Sequence, residues 1–211
     1  MPTPDPVFWD RLAERYAAKP VDDPDAFERK IAVTRALIEP GDTVLNIGCG
    51  TGSLCLRLSD LGADLHGLDL SPEMIRIARS KLDAAGARGI TFHVGAFDEG
   101  FRVFDDGSLD VVMAYSLLHL LPDRAAGLRR MRQLLKPGGH FVSSTVTLGN
   151  SWVPYRLLLA GMRLVGKAPF VAIVSTDTLK RELADAGFVD IQSPEVGAAG
   201  IITFLTARAP E

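Results

Sequence analysis

The sequence predicts an α/β fold, a mostly parallel sheet covered by helices on both faces and closed by an antiparallel pair of strands. Three observations carry this. Short apolar runs bounded by turn residues alternate with helix-period segments through most of the chain. The runs are apolar almost throughout, as in strands buried on both faces. The last two strand-like segments lie too close together for a parallel crossover.

The elements come in this order. "FWDRLAERYAAKP" reads as an amphipathic helix stopped near Pro20. "DPDAFERKIAVTRALIEPG" reads as a second, with Asp23 as N-cap, Pro24 in the first turn and Pro40-Gly41 as the stop. "TVLNIG" is the first strand and "GSLCLRLSDLG" its helix. "DLHGLDL" is the second strand, followed by the helix "SPEMIRIARSKLDAAG" with Ser71 as cap and Pro72 at its start. "GITFHV" and "SLDVVMAYS" are the third and fourth strands. A helix over Arg124 to Leu135 leads through a "KPGG" turn to the fifth strand, "HFVSSTVT". "TDTLKRELADAGF" is the last helix, and "VDIQSPEV" and "GIITFLTAR" form the closing pair, turning near Gly197 to Gly200. Crossovers between the parallel strands are expected to be right-handed.

At 211 residues the chain is read as one domain. Residues 1–40 form N-terminal cap helices, 41–148 the ligand-binding core, 149–174 an apolar insert, and 175–211 the last helix and the antiparallel strands. The net charge is −3 and the basic residues form no block, which argues against nucleic acid as partner. The richest basic stretch, Asp123 to Lys136, reads as the solvated face of a helix. The start "MPTPDPVFWDRL" has no basic-then-apolar signal pattern, and no apolar run is long enough for a transmembrane helix. Cys49 and Cys55 suggest neither a disulfide framework nor a zinc site. These features together are read as a cytoplasmic protein, with no metal site expected.

The chemistry concentrates in "VLNIGCGTG". Gly48, Gly50 and Gly52 stand at the carboxyl end of the first strand, where open α/β sheets bind ligands. Asp69 ends the second strand, about 20 residues on, where an acidic side chain takes ribose hydroxyls. Both features fit NAD, and both fit any other adenosyl ligand equally. A phosphate-binding P-loop does not fit, because no Gly-Lys-Ser/Thr is present.

Four motifs occur in order: "VLNIGCGTG", "LHGLDLSPEMIRIAR", "DDGSLDVVMAYSLLHLL" and "LKPGGHFV". Together they resemble the class I S-adenosylmethionine-dependent methyltransferases, most closely the small-molecule branch that includes the ubiquinone/menaquinone methyltransferases. The resemblance covers roughly residues 8 to 208. It implies a Rossmann-like, seven-stranded sheet and S-adenosylmethionine as cofactor. It also implies that the loop of Gly48, Gly50 and Gly52 holds the methionine part and Asp69 the ribose. Leu70 and Met74 would flank the adenosine, Ala96 and Phe97 would border the adenine, and Ala114 would offer a carbonyl near the methionine. Tyr16, on the covering N-terminal helix, would reach the ligand carboxylate; it reads equally as a half-buried helix aromatic. Asn46 stands where the family usually has an acid, which removes a charge opposite the ligand's ammonium. Ala96 stands where the family often has Asp, leaving the adenine amino group to backbone or to Asp98.

The implied reaction is in-line displacement at the methyl carbon by an acceptor O, N, C or S atom, aided by positioning and, for a hydroxyl or carbon acid, a base. His119, just after the fourth strand, is the candidate base; its more ordinary reading is a core or helix-face histidine. Tyr115, at the strand end, is a candidate substrate contact or a packing residue against the cap. His66, His93 and His140 read as structural. The insert brings Trp152, Tyr155, Leu158, Met162 and Phe170 with Arg156, Arg163 and Lys167. With Phe8, Trp9 and Tyr16 it is expected to form a lid over an apolar pocket, the alternative being that it completes the core. The expected acceptor is a small apolar or aromatic molecule. An NAD-dependent oxidoreductase is disfavoured by the closing hairpin, the "KPGG" turn and the lack of a Tyr-x-x-x-Lys pair. A non-catalytic cofactor-binding module stays open through Asn46 and Ala96.

Overall fold

The computed structural model describes residues 6–98, 100–151, 153, 155, 169–197 and 200–211. Seven strands form one sheet: β1 Thr43–Ile47, β2 Asp64–Asp69, β3 Ile90–Val94, β4 Leu109–Tyr115, β5 Leu135–Val146, β6 Val189–Gln192 and β7 Ile202–Arg208. Their order is β3-β2-β1-β4-β5-β7-β6. Neighbours from β3 through β5 are parallel, and β7 runs antiparallel to both β5 and β6. The sheet is therefore the mostly parallel one expected, with the reversal made by β7. Strand order reverses between β1 and β4, and this opens a crevice at their carboxyl ends.

Helices α1 Pro6–Ala18, α2 Pro24–Arg35, α3 Ser53–Leu58, α4 Pro72–Ala85, α5 Arg124–Leu134 and α6 Thr176–Asp185 surround the sheet. Side-chain alternation along the strands builds both faces. Leu45, Ile47, Val112, Ala114, Phe141 and Leu205 pack against Leu128 and Met131 of α5 and Leu179 and Leu183 of α6. Val44, Leu65, Val111 and Met113 pack against Ile31 of α2 and Leu54 and Leu58 of α3. The expected caps are formed: Asp23 accepts from the Ala26 amide at 2.9 Å and Ser71 from the Met74 amide at 3.1 Å.

Three boundaries differ from expectation. "KPGG" is not a turn before β5 but part of it. The chain runs through Gly138 at φ +74 and Gly139, where an added Cβ would lie 3.0 Å from two carbonyls, and the register against β4 slips there. The first crossover helix stops at Leu58 and finishes as a 3₁₀ turn over Ser59–Leu61 before Gly62 at φ +73. β6 ends at Gln192, because Pro194 has no N–H to continue a ladder. Among the described residues no helix is long and apolar enough to cross a membrane.

Of the expected lid, Trp152, Leu158 and Met162, with Arg156, Arg163 and Lys167, lie outside the described residues. Beyond Phe170 the chain returns to the carboxyl end of the sheet: the Gly149 amide bonds the Val174 carbonyl at 2.9 Å, and the Ala172 amide bonds the His119 carbonyl at 2.7 Å.

Candidate functional site

The glycine loop leaves β1 in left-handed backbone, with φ of 68° at Gly48, 54° at Gly50 and 74° at Gly52. The three glycines serve different ends. A Cβ on Gly52 would lie 2.7 Å from the Phe92 ring and 2.9 Å from Ala78, so this glycine lets α3 close on β3 and α4. A Cβ on Gly48 would meet Leu117 at 2.9 Å. At Gly50 an added Cβ would meet, among the described residues, a Tyr16 ring carbon at 3.5 Å, so the backbone there is open toward the N-terminal helix.

Asp69, at the end of β2, is 9% exposed. One carboxylate oxygen accepts from the Gly50 amide and the other from the Ser71 amide, both at 2.9 Å. Burial raises its pKa; these amides pull the other way. Asp69 therefore braces the loop as well as facing the crevice. Tyr16 is half-exposed over Gly50, and its pKa is raised by burial and then by Asp69, with Lys19 opposing.

Asn46 is 2% exposed on the opposite side of β1 from Leu45 and Ile47. Its Nδ2 approaches Cys55 Sγ at 3.6 Å, while its Oδ1 is buried without a partner among the described residues. An orphan acceptor behind the loop suits a cationic ammonium. Cys49 and Cys55 are buried fillers that form no disulfide, and burial pushes the Cys55 thiol up to about 11.

The expected adenosine contacts divide. Ala96 is exposed and lines, with Asp98, a cleft of about 510 Å³ along β3. Leu70 is half-buried beyond Asp69. Met74 and Phe97 lie deeper. Met74 is 2% exposed and packs among Ala13 and Ile77 beneath α1. The Phe97 ring leans on Phe101 at 5.2 Å, against the core. Ala114 is fully buried in the ladder opposite Ser143.

At the end of β4, Ser116 takes a left-handed φ of 54°. It turns the chain into the 3₁₀ segment Leu118–Leu120, which carries His119 and packs on β5. His119 is 8% exposed; its Nδ1 has no partner among the described residues, and burial, then the nearby Arg124, lowers its pKa to about 4. Two further orphan hydroxyls, Ser143 and Thr145, project from β5 on the same side as Phe141. Tyr115, in contrast, is turned away. Its hydroxyl bonds Thr34 Oγ1 of α2 at 2.7 Å and its ring packs on Phe204, the packing arrangement against the cap. Burial raises its pKa further. His66 and His93 bond each other at 3.1 Å, away from the loop.

Two site residues escaped sequence reasoning. Lys81 of α4 reaches Thr51 Oγ1 at 2.9 Å and Ser53 Oγ at 3.2 Å, putting a cation beside the loop where an anionic group is expected. Asp10 of α1 bonds Ser71. Neither has a local signal, because each acts across a helix–helix contact. Among the described residues no group of three His, Cys, Asp or Glu side chains could hold a metal ion.

The loop, the ribose-type carboxylate and the buried orphan acceptor fit S-adenosylmethionine. The family model described as "Methyltransferase domain" matches residues 38–187. A ubiquinone biosynthesis O-methyltransferase of Xanthomonas axonopodis pv. citri is 30% identical over 139 residues, 65% of this chain and 56% of that protein. The chain spans about half the length of the curated relatives it matches first. In three dimensions, the YcgJ protein of Bacillus subtilis aligns with a TM-score of 0.72 at 17% identity, covering 87% of this chain and 99% of that one. Phosphoethanolamine N-methyltransferase 2 of Haemonchus contortus, in complex with S-adenosyl-L-methionine, aligns with a TM-score of 0.76 at 16% identity, covering 96% of this chain and 57% of that one. At these identities the two structures speak for the fold.

Proposed function

Since the chain belongs to the class I S-adenosylmethionine-dependent methyltransferases, we propose that its acceptor is a small, largely apolar or aromatic molecule, methylated on a hydroxyl. The observation that carries this is His119: a neutral, buried imidazole with an unpartnered nitrogen, at the carboxyl end of β4 beside the crevice. The ubiquinone biosynthesis O-methyltransferases among the relatives support the hydroxyl.

When bound, S-adenosylmethionine supplies an electrophilic methyl group on a cationic sulfur. In this proposal Gly48, Gly50 and Asn46 hold the amino-acid part, Lys81 and Tyr16 meet its carboxylate, and Asp69 takes the ribose hydroxyls. Leu70, Ala96 and Asp98 form the adenine side. The leaving group is already cationic, so the protein's task is mainly alignment and exclusion of water. His119, with a pKa of about 4, is neutral at neutral pH and a weak base. It acts as a hydrogen-bond acceptor that orients the hydroxyl and takes its proton as the new bond forms. Leu117, Leu148 and Val174, all buried around this face, supply apolar walls. Ser143 and Thr145 offer hydroxyls to a second polar group of the acceptor.

The test is transfer of labelled methyl from S-adenosylmethionine to a panel of hydroxylated aromatics, free amines and thiols. Labelled ethers from apolar phenols are expected, and His119→Ala should slow them. Labelling confined to amines or thiols would refute the hydroxyl assignment.

A further inference from the structure

The N-terminal helix is joined to the proposed cofactor site by a continuous chain of hydrogen bonds. The Gly50 amide bonds Asp69, which also accepts from the Ser71 amide. The Ser71 hydroxyl accepts from the Met74 amide at 3.1 Å and donates to Asp10 Oδ1 of α1 at 2.5 Å. The same Asp10 oxygen accepts from the Glu73 amide at 3.2 Å. Two of the first free amides of α4 are thus capped, one by its own Ser71 and one by a carboxylate from another helix. A negative charge at this helix start is favourable. The contact extends along α1, where Trp9, Ala13 and Ala17 cover Met74 and Ile77, and Glu14 pairs with Arg76. Tyr16, next to Ala17 on the same helix, sits over Gly50.

We infer that Asp10 is a positioning residue for the cofactor, latching α1 onto the Asp69–Ser71 turn so that closure of this helix over the glycine loop and occupation of Asp69 reinforce each other. The physical reason is that one turn serves two contacts. Asp69 needs the Ser71 amide to hold its carboxylate in place, and α1 needs Ser71 and Glu73 to seat Asp10. A ligand that stiffens the turn stabilises both contacts, and loss of either loosens the other. The inference rests on the proposed placement of the cofactor at Asp69 and Tyr16.

The test uses the whole chain with S-adenosylhomocysteine as probe. Trypsin cleavage after Arg11 and Arg15 of α1 is followed with and without the probe, alongside its affinity by calorimetry, in native protein, Asp10→Ala and Asp10→Asn. In native protein the probe should protect α1. Asp10→Ala should lose that protection and bind the probe about tenfold more weakly, the scale of losing hydrogen bonds to a charged acceptor. Asp10→Asn, which keeps the accepting oxygen, should restore most of both. Equal protection and affinity in native and Asp10→Ala protein would overturn the latch and leave the cofactor placement standing. Binding without protection of α1 in native protein would overturn the placement and the latch together.

Discussion

Replacing Asp69 by alanine perturbs two things at once, and the structure sets the size of each. The carboxylate accepts the Gly50 and Ser71 amides at 2.9 Å while 9% exposed. A hydrogen bond to a charged group is worth about 1.5–3 kcal/mol, and freed amides at the crevice regain some water, so the ligand-free protein should lose about 2–3 kcal/mol. For a chain of this size that is a fall in Tm of roughly 4–12 °C. Loss of the ribose contacts should cost a further ~1.5–3 kcal/mol of cofactor affinity, about ten- to more than a hundredfold in Kd. Urea unfolding without ligand gives the first quantity, and calorimetry with S-adenosylhomocysteine under conditions where the variant is folded gives the second. A destabilised variant with native affinity would reduce Asp69 to a loop brace. A weakened affinity with native stability would mean that the two amide bonds contribute nothing, contrary to their short, buried geometry.

The other expectations are simpler. His119 is neutral in the folded chain, with a pKa of about 4 against an ordinary 6.5. The unfolded chain therefore takes a proton first as pH falls, and stability present above the unfolded value is lost toward the folded one. The loss should be about 2 kcal/mol between pH 7 and pH 5, and His119→Gln should remove it from urea unfolding curves; an unchanged pH dependence would show that His119 is not the group. Asn46→Asp should tighten binding of S-adenosylmethionine by about 1 kcal/mol by facing its ammonium with a charge, while lowering ligand-free stability because the carboxylate is buried. Weaker binding would show that the Asn46 amide has its own ligand contact. Tyr115→Phe should cost about 0.5–1.5 kcal/mol of stability through the lost bond to Thr34 and leave methyl transfer intact; a large loss of turnover in the folded variant would return Tyr115 to the site.

Much of this molecule was written locally. The alternation of apolar runs with helices, the caps at Asp23 and Ser71, and the spacing from the glycine loop to Asp69 are short-range properties, because propensity, capping and turn geometry act over a few residues. The motif order then identified the family and its cofactor. Side-chain direction was not written there. Tyr115 and His119 lie four residues apart in one apolar stretch, yet the left-handed turn at Ser116 separates them. Tyr115 stays in the sheet facing α2, while His119 swings onto β5 with its Nδ1 bare. Met74 and Phe97 stand at the family's positions, and only the fold packs Met74 under α1 and leans the Phe97 ring on Phe101. "KPGG" carries the residues of a turn, but its two glycines instead allow a bulge within a strand held on both sides. Asp10 and Lys81 gained their partners only when α1 and α3 came to rest against α4. A carboxylate or an ammonium has no partner until folding brings one within hydrogen-bonding distance, and no spacing along the chain records that meeting.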